Sequence, residues 1–187
     1  MSRMVERAPI LSQTVGRFNR AATVFLNKLR LDMFKAMTES SGGLNAEEQK
    51  AVAHFVNVAT GRGSLGALEA AAVPLARIMF SPRYFASRLQ LAVGEPLWGG
   101  TWASRRAIAK EYARTLIGLA AYYALLKMAF GDKAEVSDDP RSSDFGKIKI
   151  GNTRLDPLAG VSQVVVFGAR TASGETVNAK GKEKPLQ

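Results

Sequence analysis

One stretch, Asp138 to Gly160, interrupts a sequence that elsewhere reads as helix, and this contrast confines the chain to a mainly α fold. After Phe145, the residues Lys147, Ile148, Lys149 and Ile150 alternate between polar and apolar. Gly151-Asn152 then offers a two-residue reversal, and Thr153-Arg154-Leu155 runs back. Gly and Asn tolerate the positive φ that tight hairpin turns demand, so a β-hairpin is expected over about 145–156. Asp156 and Pro157 suit an N-cap and the first position of a last helix. A two-stranded hairpin is marginal alone, so it should lie as a clasp on a helical body.

The remaining sequence supplies that body. Residues 1–11 read as a loose arm. From Gln13 to Met37, Val15, Phe18, Ala22, Phe25, Leu29, Phe34 and Met37 recur at helical spacing. Arg17, Arg20 and Lys28 fall off that stripe, which predicts an amphipathic helix over about 13–37 with a basic face. Asn45 and Glu48 fit a capping box for a helix from Ala46 to about Val58. A Gly-rich break at 61–66 precedes a helical stretch from Leu68 to Phe80, in which Pro74 should kink the chain. Ser81-Pro82 opens the next helix, and Thr101 caps a long one reaching about Phe130. The second half of that helix, Leu116 to Phe130, is apolar on almost every side, with Lys127 its only charge. It suits a buried central helix, insertion into a membrane in another state, or an interface; a bilayer span needs roughly 20 apolar residues and this run is shorter. The expected architecture is a multi-helix bundle with one short hairpin before the last helix. A single domain should occupy residues 1–172, and residues 173–187, rich in Gly, Lys and Glu, should form a flexible tail.

Charge narrows the function classes. The 187 residues carry a net charge of +10, a balance that favours polyanions such as nucleic acid, an anionic membrane face or an acidic partner. The excess is uneven: seven basic residues stand against three acidic ones in 1–40, and six against two in 81–115. There is no cysteine and a single histidine, His54, so thiolate chemistry and a histidine metal cluster are excluded. The basic start has no apolar region after it, so no secretory leader is expected.

Each candidate motif has a plain structural alternative. Gly61 to Gly66 matches G-x-G-x-x-G, but a dinucleotide site needs a βαβ unit and a later acidic residue, and position 86 is Ala. A helix–helix corner is expected there, with Arg62 beside free amides as a lesser option for a phosphate contact. Asp138, Asp139, Asp144 and Asp156 fit no calcium loop and sit where turns and caps want an Asp. No base stands near a serine apart from His54, so no catalytic constellation, metal or cofactor is implied. Arg83, Arg88, Arg105, Arg106 and Lys110 flank the turn at Trp98-Gly99-Gly100, and Tyr84, Trp98 and Trp102 interleave with them. Cations with aromatics suit single strands or backbone phosphate, and equally a docking face on a larger assembly. Gly151, Asn152, Asp156 and Pro157 are the turn residues of the clasp.

Three stretches resemble a known family: 57–66 (NVATGRGSLG), 80–91 (FSPRYFASRLQL) and 139–160 (DPRSSDFGKIKIGNTRLDPLAG). They are similar to one of the large polyvalent protein-associated domains of bacteriophages and mobile elements, usually placed near the end of very long phage polypeptides. The resemblance reaches across roughly residues 20 to 172. It implies a phage context, a virion-internal or DNA-ejection protein, and carries no catalytic residue onto this chain. The implied partners are portal or ejection proteins, further copies of the chain, phage DNA and, during ejection, the host inner membrane. The implied location is the virion, inside the capsid or portal channel, after a period in the host cytoplasm.

Overall fold

The structure is a computed structural model of the 187-residue chain. It describes residues 9–78, 81–158, 160–178 and 181–186, with side chains given from Gly16 onward except that of Ile78. The fold is mainly α, as the periodicity requires, with six helices and short antiparallel strands toward the C-terminus.

Helix α1 runs Pro9–Ser40 and α2 runs Ala46–Ala59. The expected start of α1 at residue 13 is therefore too late; of the expected arm, residues 1–8 lie outside the described residues. The α2 cap is the one its sequence encodes. Asn45 Oδ1 accepts from the N–H groups of Glu47 and Glu48, each at 3.0 Å, and Asn45 N–H donates to Glu48 Oε2 at 2.8 Å. Such reciprocity satisfies amides that a helix start leaves bare. The hydroxyl of Thr101 also donates to Glu48, at 2.8 Å. The Asn45 amide and then Thr101 hold the Glu48 carboxyl below its usual range. A group whose folded pKa is depressed stabilises the fold above its unfolded pKa, about 4.3, and loses that contribution as the pH falls. The melting temperature should therefore decline on acidification below about pH 5, and Glu48→Gln should flatten part of that decline. An identical acid profile in the variant would show that this cap contributes nothing.

Beyond α2 the chain makes a 3-10 segment at Gly66–Ala71, then α3 at Ala72–Ile78. The helical stretch changes from 3-10 to α at Ala72, two residues before Pro74, which sits in the first turn of α3. Phe80, the expected end of that helix, lies outside the described residues. Helix α4, Pro82–Ala92, is capped by Ser81, and α5, Trp102–Phe130, by Thr101. Met37, Leu44, Val52, Phe55, Val56 and Ile108 form the core where α1, α2 and α5 meet. Phe55 and Tyr112 rings pack there with centroids 5.7 Å apart.

The clasp is larger than its sequence suggests. Strands β2, Ile148–Ile150, and β3, Thr153–Leu155, pair around Gly151-Asn152, with Ile148 opposite Leu155. A third strand, β1 at Ala134–Val136, adds to β2. The hairpin ladder begins at Ile148, not at Phe145, which instead bridges Ser137, and Gly146 at φ +68 turns the chain just before the strand. Ile148 is buried, Tyr123 donates its hydroxyl to Gly146 O, and Lys127 Nζ donates to Ala134 O at 3.2 Å. The sheet thus lies on the second half of α5. Gly151 has φ +59 and open space where a Cβ would stand, so Gly151→Val should cost about 1–3 kcal/mol through backbone strain alone. An unchanged melting temperature would refute the turn.

Two expectations near the C-terminus need correction. Asp156 and Pro157 do not start the last helix: α6 runs Val161–Ser173 behind Gly160, whose φ of +88 is left-handed and resets the backbone. Asp156 instead accepts from Leu158 N–H at 3.1 Å and closes a turn. The tail is not loose in its described residues. Strands β4, Glu175–Val177, and β5, Glu183–Pro185, pair antiparallel. Arg141 ties them down, donating to Glu175 at 2.6 Å, to Glu183 at 2.7 Å and to Asp139 at 3.0 Å. Asp139 is held below its usual range by Arg141, and Arg141 is pushed up, first by Asp139 and then by Glu183. Asp144 pairs separately with Arg154 at 3.1 Å.

Candidate functional site

The candidate residues occupy four places. Trp98, Trp102, Arg105, Arg106 and Lys110 gather at the start of α5. Arg62 and Arg83 flank the contact of the Gly-rich loop with α4, where Gly63 N–H donates to Arg83 O at 3.0 Å. Arg88 turns into a cleft, and Arg17 and Arg20 stand exposed on α1. Arg83 opens α4 and Trp98 lies beyond its end, so roughly 16 Å of helix separates those two groups.

The first group has the geometry of a contact surface. Trp98 and Trp102 are 67% and 77% exposed. Large aromatics left in water at this level are uncommon without a partner to cover them. Trp102, Arg106 and Lys110 follow at spacings of four on α5 and share one face. Arg105 does different work. It donates to Gly99 O at 3.1 Å and to Trp98 O at 3.2 Å, and so holds the turn that presents Trp98. Arg106 and Lys110 are exposed and make no ion pair among the described residues.

The other basic residues are mostly engaged. Arg83 pairs with Glu69, and Arg114, on the same helix as Lys110, pairs with Glu111. Arg88 stacks 4.4 Å over the Tyr84 ring. Arg62 lies close enough to Arg30 to help lower its pKa, after burial. The phosphate option at the Gly-rich loop falls, because its amides are taken. Arg62 N–H donates to Asn57 O at 2.8 Å, Ser64 N–H to Gln90 at 3.1 Å, Leu65 N–H to Glu69 at 3.3 Å and Gly66 N–H to Ser64 at 3.2 Å. The loop is a corner, as its alternative reading held. His54 lies at the core edge, its Nε2 2.8 Å from a Glu95 oxygen. Among the described residues no group of His, Cys, Asp or Glu could hold a metal.

Two apolar helix faces complete the picture, and periodicity alone did not disclose their exposure. On α1, Phe18 is 72% and Phe25 62% exposed, and Leu29 is also open. Among the described side chains of α1, only Met33, Phe34 and Met37, near its end, reach the core. On α5 the expected buried helix is not found: Leu116, Ile117, Leu125 and Met128 are exposed, while Leu119, Tyr123 and Leu126 on the other side are half-buried. Among the described residues no helix is long and apolar enough to cross a membrane.

A comparison with known families, curated proteins and solved structures finds no match to this chain.

If the α5 surface engages DNA, affinity should fall steeply with salt, since each neutralised phosphate releases counterions. Arg106→Glu with Lys110→Glu should weaken binding further and reduce the salt slope by about two. Arg105 is the wrong residue to reverse, because its loss would release the turn. Salt-insensitive retention, or no binding to single- and double-stranded DNA, would remove the nucleic-acid role and leave protein docking.

Proposed function

We propose that this chain is a non-enzymatic structural protein of a bacteriophage particle, placed inside the virion or at the portal channel, that helps deliver phage DNA into the host cell. The observation that carries the reading is the uncovered apolar stripe of α1, Phe18, Phe25 and Leu29, on a helix anchored only near its end. A protein that leaves such a stripe in water is completed by neighbours, and an assembly supplies them. The exposed apolar side of α5 belongs to the same argument. Arg17 and Arg20 on α1, and Arg106 and Lys110 on α5, suit a body packed near DNA. The likeness of three sequence stretches to a phage domain family selects a virion as the assembly, with portal or ejection proteins and further copies of the chain as its neighbours. Contact with the host inner membrane during ejection would use the same apolar faces; flotation with anionic liposomes at high salt tests it, lost on Leu125→Asp.

A second reading is a soluble nucleic-acid-binding accessory module of a phage or mobile element, and the exposed Trp98 and Trp102 beside Arg106 and Lys110 favour it. Purified particles decide between the two. The chain at a fixed copy number per particle supports the structural role; its absence from particles, with DNA binding in the infected cell, supports the accessory module and ends the first reading.

A further inference from the structure

Between the helices lies a cleft of about 480 Å³, walled by α2, α4, α5 and the approach to α6. That volume is within the range of small-molecule sites, which are mostly apolar with a few placed polar groups. Phe55, Leu91, Leu119, Leu158, Val161 and Val165 give it such a wall.

Four polar side chains line the cleft, and three are already engaged. Glu111 takes Arg114. Tyr112 donates its hydroxyl to Leu91 O at 3.3 Å, and Thr115 donates to Glu111 O at 2.9 Å. The fourth is Arg88. Among the described residues its Nε is buried without an acceptor, and the guanidinium carbon lies 4.4 Å from the centre of the Tyr84 ring. Ser162 Oγ, on the helix that supplies Val161 and Val165, is likewise buried without a partner. Buried donors in proteins are nearly always satisfied, and a cationic one without an acceptor is a costly exception. Burial raises the Tyr112 phenol on the same wall, a sign that water screens this region poorly.

We propose that the cleft binds a small apolar molecule ending in a carboxylate, and that Arg88 receives the carboxylate while the chain of the ligand lies along the apolar wall. A guanidinium presents a planar fork that a carboxylate meets with two parallel charge-assisted bonds. One such fork, with no other cation on the lining, matches one negative charge better than a phosphate dianion. This site is distinct from the surface of Trp102, Arg106 and Lys110, and it shares Leu116 with the exposed apolar side of α5.

The test is calorimetric titration of the full chain with decanoate and with decanol. The native protein should bind one decanoate per chain, about tenfold tighter than decanol, the difference expected of a charge-assisted bond. Arg88→Gln should bind the two alike. Ala92→Trp, at an exposed position that borders the cleft, fills the apolar volume and should abolish both. Should Arg88→Gln melt early, the Ala92→Trp variant decides alone. Equal affinity of the native protein for acid and alcohol, a preference that survives Arg88→Gln, or full binding by Ala92→Trp would each overturn the proposal.

Discussion

If the chain self-associates through α1, replacing Phe18 and Phe25 together by Glu is expected to yield a monomer while leaving the melting temperature nearly unchanged. Both side chains are mostly in water within one chain, 72% and 62% exposed, so the fold loses little when they go. Exposed substitutions of this kind usually stay within about 0.5 kcal/mol. Association is another matter, because a neighbour would cover that same surface. Burying a Phe fully is worth about 1.5–3 kcal/mol, and in a two-fold contact each residue counts twice. The pair therefore commands several kcal/mol, or about three orders of magnitude in dissociation constant. Sedimentation equilibrium across a concentration series reads it directly. A native chain that stays monomeric at high concentration, or a variant that associates as well as the native chain, would rule out α1 as the self-contact.

The second large effect concerns Gly63. A Cβ there would lie 2.3 Å from Ser87 N and 2.7 Å from Arg83 O, both backbone atoms of α4. Backbone in the middle of a helix yields far less than a side chain tip. Gly63→Ala should then cost on the order of 3 kcal/mol, toward the upper end for overpacking, and lower the melting temperature by about 10 °C. Gly118 on α5 supplies the contrast, since nothing lies within 4 Å of where its Cβ would stand. Gly118→Ala should raise stability by up to about 1 kcal/mol, because Ala restricts the unfolded chain and suits a helix. If Gly63→Ala melts with the native protein, the loop does not press on α4. The position of α4 matters beyond stability, since α4 carries Arg88 to the cleft.

These two sites also mark where sequence reading succeeds and where it stops. The ends of helices were legible because their chemistry is local: Asn45 with Glu48, Ser81 with Pro82, and Thr101 each satisfy amides within a few residues. Gly151-Asn152 was legible for the same reason. The strand Ala134–Val136 was not, since three residues carry no period and their partner begins 14 positions away at Ile148. The tail strands depend on Arg141 gathering carboxylates from Glu175 and Glu183, a contact over more than 30 residues that no local pattern announces. In the Gly-rich loop the spacing alone could not say whether its amides were free; Asn57, Gln90, Glu69 and Ser64 had taken them. Arg105 and Arg106 looked equivalent, and only the carbonyls of Trp98 and Gly99 tell the clamp from the free cation. Apolar periodicity on α1 and α5 marked a face but not its cover.

The uneven anchorage of α1 makes that helix a lever. Its pivot is Arg30, whose Nε donates to the Thr60 hydroxyl at 2.7 Å and whose Nη2 donates to Thr60 O at 3.2 Å. From that pivot back to Gly16 the helix reaches about 21 Å. A tilt of about 10° at the pivot therefore carries the far side chains nearly 4 Å, by the geometry of a rigid rod of that length. Phe18, twelve residues from the pivot, would move about 3 Å, while Met33, three residues on its other side, would shift by less than about 1 Å. Such a tilt would let the chain meet a neighbour, if it has one, at slightly different distances with only small shifts at Met33 and Met37.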